Sequence, residues 1–301
     1  MNSIKRVCLL GFGEVGETLA VDLSAADLLN LSAFDIQFDC ADSVPSLGAA
    51  SLPSVRCGAN AVDAASECQL VVSAVTAAED LNAIRSVVTG LDHGALLLDL
   101  NSVSPNVKRE AAAIVESGGG RYIEAAVMAP IGPKRIGTQI LLGGPHAADA
   151  LPLLRALGFA GTSVFSAEIG PASAAKMCRS VVVKGVEALL AESLLAARRY
   201  GVDDAVVDSL DNLLPGADWR ELSRYMISRS LQHGVRRAEE MREVARTVAD
   251  AGLEPLMSNA SEARQAWAAL FDNARDSDNL GDMLDAILAG MESVNEGPTE
   301  C

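Results

Sequence analysis

The chain of 301 residues is half hydrophobic and carries 40 acidic against 24 basic residues, a net charge of −16. That length buries two cores of ordinary domain size. The negative field repels nucleic acid and anionic membrane surfaces over most of the molecule, so neither is expected as a partner and an anionic ligand needs local cations. No stretch reaches the ~18 uncharged apolar residues of a membrane span. The apolar run Val7–Leu10 behind Lys5 and Arg6 stops at Gly11, and no small-residue cleavage site follows it. Cys8, Cys40, Cys57, Cys68, Cys178 and Cys301 are scattered, with no Cys-x-x-Cys pair and no histidine cluster at ligand spacing. They read as reduced thiols of a cytoplasmic protein without a metal site.

Through the first half, short apolar runs alternate with helix-length segments, the pattern of β-α-β units and a parallel sheet. Strands are expected at Val7–Leu10, Ala33–Gln37, Ser54–Cys57, Leu70–Val75, Leu96–Leu100, Tyr122–Val127, Gln139–Leu142 and Ser163–Phe165. Helices are expected around Val15–Ala25, Glu79–Val88, Pro105–Ser117 and Ala147–Leu157. From Pro171, a good first-turn proline, nothing interrupts the chain until about Tyr200, which predicts one helix of ~30 residues and ~45 Å. From Val202 to Met291 the pattern is helical, punctuated by Pro215-Gly216, Gly234, Gly252-Leu-Glu-Pro255 and Gly281. The tail from about Glu292 to Cys301 is expected to be disordered. The chain therefore reads as α/β: a doubly wound parallel sheet in residues 1–165, then an all-helical domain in residues 166–301, joined by a long interdomain helix.

Two segments carry chemistry. Gly11-Phe12-Gly13-Glu14-Val15-Gly16 follows the first strand and opens a helix. Glycines at this spacing permit a tight turn, close approach of backbone to a pyrophosphate, and close helix–strand packing, while the helix N-terminus favours the anion. Asp35, at the end of the second strand, can accept hydrogen bonds from both ribose hydroxyls of NAD, and its charge repels a 2′-phosphate. With no Lys or Arg between Asp22 and Val55 to offset that repulsion, NAD is favoured as cofactor, with NADP as the alternative. The second segment is Gly170-Pro-Ala-Ser-Ala-Ala-Lys176-Met-Cys-Arg-Ser180, at the start of the long helix.

With these residues the chain resembles the β-hydroxyacid dehydrogenase superfamily, which includes 3-hydroxyisobutyrate and 6-phosphogluconate dehydrogenases, and most of all its branch with a phosphogluconate-dehydrogenase-like helical C-terminal domain. The resemblance implies a Rossmann-type first domain, and a helical second domain that forms a homodimer. It places the loop Ser73-Ala74-Val75-Thr76 and the residues Asn101 and Ser102 of Asp99-Leu-Asn101-Ser102-Val-Ser104-Pro105 near the nicotinamide. It also makes Lys176 the general acid/base, with Ser180 in the place of the family's asparagine, one helical turn away. Burial and a nearby cation such as Arg179 lower a lysine's pKa toward the working pH.

The substrate segment departs from the family pattern Asp-Ala-Pro-Val-Ser-Gly-Gly. Here it reads Glu124-Ala-Ala-Val127-Met128-Ala129-Pro130; Met128 donates no hydrogen bond and Pro130 has no N–H. Lys134 and Arg135 in the following loop are candidates to supply charge instead, and His233 and Arg237 to bind an acid group. Val183, where phosphogluconate dehydrogenase has glutamate, argues against that reaction. The reading is an NAD(P)-dependent oxidoreductase acting on a small hydroxy acid. The alternatives are an imine reductase-like enzyme, or a non-catalytic dinucleotide-binding sensor or assembly protein.

Overall fold

The computed structural model describes residues 4–25, 30–212 and 216–295. Contacts divide the chain into two units, Met1–Met177 and Cys178–Cys301.

The first unit is built on eight strands: β1 (Arg6–Leu10), β2 (Asn30–Phe34), β3 (Val55–Cys57), β4 (Leu70–Ser73), β5 (Leu96–Asp99), β6 (Arg121–Val127), β7 (Ile140–Gly143) and β8 (Thr162–Ser166). They form one sheet in the order β3-β2-β1-β4-β5-β6-β7-β8. Alternate side chains feed two cores, as the period of two in a strand requires. Val7 and Leu9 pack with Leu19 and Leu23 of α1 (Glu14–Ser24) and Leu154 of α7 (Ala147–Ala156). Cys8, Leu10, Val71 and Leu97 pack with Ile84 and Val87 of α4 (Asp80–Val87) and Val115 of α5 (Pro105–Ser117). All eight strands were expected, but not all run parallel: β7 pairs antiparallel with β6. A parallel return needs a crossover of a dozen or more residues, usually a full helix, and only α6 (Ile131–Lys134) and one 3-10 turn lie between these strands.

Three local differences have simple causes. β2 ends at Phe34 and not at Gln37, because the Asp35 carboxylate accepts the Gln37 N–H at 2.9 Å and turns Ile36–Asp39 into a 3-10 helix. The helices α2 (Val44–Ala50) and α3 (Ala61–Ala65) were not anticipated; two turns or fewer show no periodicity, and only their caps Ser43 and Asn60 mark them. Lys134 lies in α6 and not in a loop.

The long helix α8 runs Pro171–Tyr200, as its uninterrupted sequence predicts, and its first seven residues belong to the first unit. The second unit contains the remainder with α9 (Asp203–Ser209), α10 (Trp219–Asp250), α11 (Leu256–Ala268) and α12 (Leu280–Asn295) around Leu194, Ile227, Leu231, Phe271, Leu284 and Ile287. Gly234 does not end a helix. It lies inside α10, one residue after a kink at His233 (φ −123°, ψ 16°), where an added Cβ would stand 2.4 Å from the Gln265 carbonyl of α11. Helix α12 extends through Glu292 to Asn295, so the expected tail is ordered at its start; Pro215 and residues 296–301 lie outside the described residues. Among the described residues no helix is long and apolar enough to cross a membrane.

Candidate active site

The sheet gathers most of the expected residues at one edge. β1, β2, β4, β5 and β6 are parallel neighbours, so the segments that follow them (Gly11–Gly16, Asp35, Ser73–Thr76, Asn101–Ser102 and Met128–Pro130) all leave from the carboxyl ends of the strands. Strand order reverses between β1 and β4, and such a switch point leaves a crevice at that edge.

At the switch point the glycine turn is fixed by backbone. Gly11 has φ +94°, and a Cβ there would lie 2.5 Å from the Ala74 carbonyl oxygen; a Cβ on Gly16 would lie 2.1 Å from the Gly11 carbonyl oxygen. Gly13 is different: nothing lies within 4 Å of the position a Cβ would take. Gly13 is also the N-cap of α1, and no side chain caps that helix. The end of α1, with the backbone amides of Glu14, Val15 and Gly16, is thus open on the side where a pyrophosphate approaches, and the residues present fit a dinucleotide.

Asp35 braces the turn, its Oδ2 accepting the Phe12 N–H at 2.7 Å while Oδ1 accepts Gln37 N–H. Phe12 is fully buried and packs against Phe38 with ring centroids 5.8 Å apart and planes tilted by 58°. The carboxylate remains part-exposed at the end of β2, in reach of a ribose on the turn. In the 36–55 segment that follows there is no cation, and Arg56 of β3 pairs with Asp63 at 2.9 Å.

The loops after β4 and β5 are joined from below. Asn101 is 4% exposed. Its Oδ1 accepts the Val75 N–H at 2.7 Å, and its Nδ2 donates to Ser73 Oγ at 2.9 Å and Asp80 Oδ1 at 2.6 Å. The side chains of Asn101 and Ser73 therefore join the two loops of this edge to each other. Beneath lies Asp99, whose carboxylate accepts the Tyr122 hydroxyl at 2.5 Å, the Asn101 N–H at 2.9 Å and the Lys108 ammonium at 2.9 Å, all in complete burial. Burial and the Asp99 charge push the Tyr122 hydroxyl well above the ordinary phenol range. Val75 is half-buried, and Thr76 is exposed.

Lys176 reaches this edge: its Nζ donates to Ser102 Oγ at 2.5 Å. The start of its helix is held by Glu124, a fully buried carboxylate of β6. Glu124 Oε2 accepts the Gly170 N–H at 2.7 Å, and Oε1 the Ser173 N–H at 2.6 Å. Gly170 has φ +121°, a region open to glycine and costly for other residues. These amides are the orphan donors of a helix start, so Glu124 caps α8 and fixes where Lys176 begins. The sequence alone assigns no supporting role to Glu124, Asp80, Lys108 or Tyr122; for the first three the one signal was charge inside runs that otherwise read as buried strand or helix.

Met128–Pro130 share that edge, and the other candidates are spread over both units. Met128 is half-buried and its N–H donates to the Gln139 carbonyl, while Ala129, Pro130 and Lys134 are exposed. Arg135, offered as a charge for substrate, pairs with Asp22 of α1 at 2.7 Å. In the second unit Ser180 is buried and Arg179 exposed on α8, and His233 is half-buried at the kink of α10. Arg237 does not present its charge as expected: it ion-pairs with buried Glu187, which also accepts Gln265 Nε2 at 3.1 Å. A buried carboxylate left alone is costly, and that requirement commits the guanidinium to the helical interior.

Comparison with known proteins agrees with this geometry. Residues 6–166 match the NAD binding domain of 6-phosphogluconate dehydrogenase, and residues 197–268 match a domain of unknown function, DUF1932. A 3-hydroxyisobutyrate dehydrogenase of Pseudomonas aeruginosa is 27% identical over 225 residues, 71% of each chain. A conserved hypothetical protein from Sinorhizobium meliloti 1021 superposes with a TM-score of 0.72 at 32% identity, covering 96% of this chain and 97% of that one. The 3-hydroxyisobutyrate dehydrogenase of Mycobacterium tuberculosis shares the fold, with a TM-score of 0.70 at 19% identity over 95% of this chain and 99% of its own. With a dinucleotide turn at the switch point of its sheet and that domain matched across more than half its length, the chain belongs to the β-hydroxyacid dehydrogenase superfamily of NAD(P)-dependent dehydrogenases.

Proposed function

We propose that the protein oxidises the hydroxyl group of a small β-hydroxy acid, or reduces the corresponding carbonyl, with Lys176 as general acid/base. The observation that carries this reading is the Lys176 Nζ–Ser102 Oγ hydrogen bond at the carboxyl edge of the sheet, 2.5 Å long. When bound, the nicotinamide ring takes or gives the hydride at its C4. The protein's part is to place that ring and move one proton. Gly11–Gly16 and Asp35 would hold the pyrophosphate and adenosine ribose, with NAD favoured over NADP because the 36–55 segment after Asp35 carries no cation to neutralise a 2′-phosphate.

In the oxidation direction the substrate O–H proton passes to neutral Lys176 as the hydride leaves the carbon, giving a carbonyl and an ammonium; reduction reverses both movements. Ser102 orients the lysine amine, and Ser180, one turn further along α8, offers a hydroxyl to the substrate. Met128 and the N–H-less Pro130 line the substrate side with apolar surface, which favours a larger or more apolar acid than the family's small hydroxy acids. Lys134 is an exposed cation available to its carboxylate. A homodimer through the helical unit is part of this proposal. An imine reductase reading is less favoured, since a lysine stands at the proton-transfer position.

The test is turnover against a panel of β-hydroxy acids with straight, branched and aromatic side chains, and against cyclic imines, with each dinucleotide. The proposal expects reduced nicotinamide to form with at least one hydroxy acid and NAD. Activity confined to imines, or no turnover with any hydroxy acid, contradicts it.

A further inference from the structure

Asp80 is the first residue of α4 and is fully buried, yet the reaction as described gives it no task. One of its oxygens accepts the Asn101 amide at 2.6 Å; the other, Oδ2, has no donor. Among the described residues the titratable groups acting on it form one cluster: Asp99 of β5, with Tyr122 of β6 and Lys108 of α5 bound to that carboxylate. Two carboxylates therefore share one ammonium in a space without water-exposed atoms. Asp99 already accepts from Tyr122, Lys108 and the Asn101 N–H, which favours its charged form and leaves Asp80 as the group that must carry a proton if the cluster is to hold no net charge.

We propose that Asp80 is a positioning residue acting as a neutral acid: its proton bridges to Asp99, its other oxygen holds the Asn101 amide, and Asn101 thereby sets both loops of the cofactor edge. The second link is direct, because the same Asn101 side chain accepts the Val75 N–H and donates to Ser73. Loss of the proton places two anions side by side, drives Asp80 away from Asp99, and releases Asn101 with the Ser73–Thr76 loop. Burial, then the Asp99 charge, push the Asp80 carboxyl up to about 7, so the device operates in the neutral range. Its consequence for binding rests on the dinucleotide reading above; its effect on the loop does not.

The experiment has two arms. In the ligand-free protein, carbon-detected NMR of the Asp80 carboxyl and hydrogen exchange of the Val75 amide are followed against pH. Titration near neutrality, with Val75 protection lost above it in the wild type and kept in Asp80→Asn, is the expected result. An Asp80 carboxyl that ionises in the ordinary carboxylate range, or Val75 protection that ignores both pH and the substitution, overturns the proposal. In the second arm, NADH affinity is measured from about pH 6 to about pH 9, where the wild type should weaken about tenfold or more as the competent fraction falls. Asp80→Asn, which keeps a donor toward Asp99 and an acceptor for Asn101, should change less than about twofold over the same range. Asp80→Asn reproducing the wild-type pH dependence also overturns the proposal. Should the first arm give the expected titration while neither NADH nor NADPH binds, the loop device stands and the cofactor reading fails.

Discussion

Replacing Glu124 with glutamine tests the cap on the lysine helix. The carboxylate is fully buried and accepts two N–H groups at 2.7 and 2.6 Å. In Glu124→Gln one oxygen remains, and an NH2 group must face the other amide, so one buried donor loses its partner. A hydrogen bond to a charged group contributes about 1.5–3 kcal/mol and an unsatisfied buried donor costs about 1–3 kcal/mol. Relief of the desolvation of a buried charge offsets part of this. The net expectation is about 2–3 kcal/mol of destabilisation, or a fall of about 5–10 °C in the midpoint for a unit of this size. Calorimetry with NADH titration checks it: the midpoint should fall while NADH affinity holds, and turnover should fall because Lys176 is less firmly placed. A midpoint within about 1 °C of the wild type would mean that capping of α8 by Glu124 contributes little, and the reasoning fails.

Gly13→Ala should leave the melting temperature unchanged, because no atom lies within 4 Å of the new Cβ, yet abolish measurable NADH binding; Gly16→Ala should destabilise the fold, its Cβ being 2.1 Å from the Gly11 carbonyl oxygen. Asp35→Ala should weaken NAD about tenfold or more through lost ribose hydrogen bonds and NADP far less, which calorimetry of both dinucleotides resolves; equal losses would sink the assignment. Arg237→Ala should cost about 3–5 kcal/mol in urea unfolding because it strands buried Glu187, and replacing both partners with apolar residues of similar volume should recover most of it. The Asp80 carboxyl, raised from 3.8 to about 7, binds more protons folded than unfolded. Its contribution to stability is full below about pH 4 and falls as pH rises to about 7, flat beyond, and Asp80→Asn should remove that slope from unfolding free energies.

Much of the site was readable because its parts are local. Three glycines behind an apolar strand, an aspartate at the next strand's end and a lysine in the first turns of an uninterrupted helix each announce themselves within a few residues. The eight strands were legible for the same reason, since buried parallel strands are short apolar runs between turns. The direction of β7 was not, because it depends on what the connection can span. What supports the site was also hidden. Asn101 reads as a loop residue near the cofactor, and only the fold shows its side chain spent on Val75, Ser73 and Asp80. The partners of Glu124, Asp80, Lys108 and Arg237 could not be read from the chain because pairing in the core joins residues 9 to 50 positions apart, such as Asp99 with Lys108 and Arg237 with Glu187. The expectation that Arg135 serves a substrate failed on the same ground, its partner Asp22 being remote in the sequence.

The central claim is that Lys176 moves the proton while the rest of the edge holds the dinucleotide. Turnover of the best hydroxy acid of the panel, measured with NADH affinity in wild type and Lys176→Ala, tests it most directly. The account predicts that Lys176→Ala binds NADH as the wild type does and loses turnover by about two to four orders of magnitude, the usual worth of a positioned acid–base group. Turnover that survives the substitution, with cofactor still bound, would contradict it.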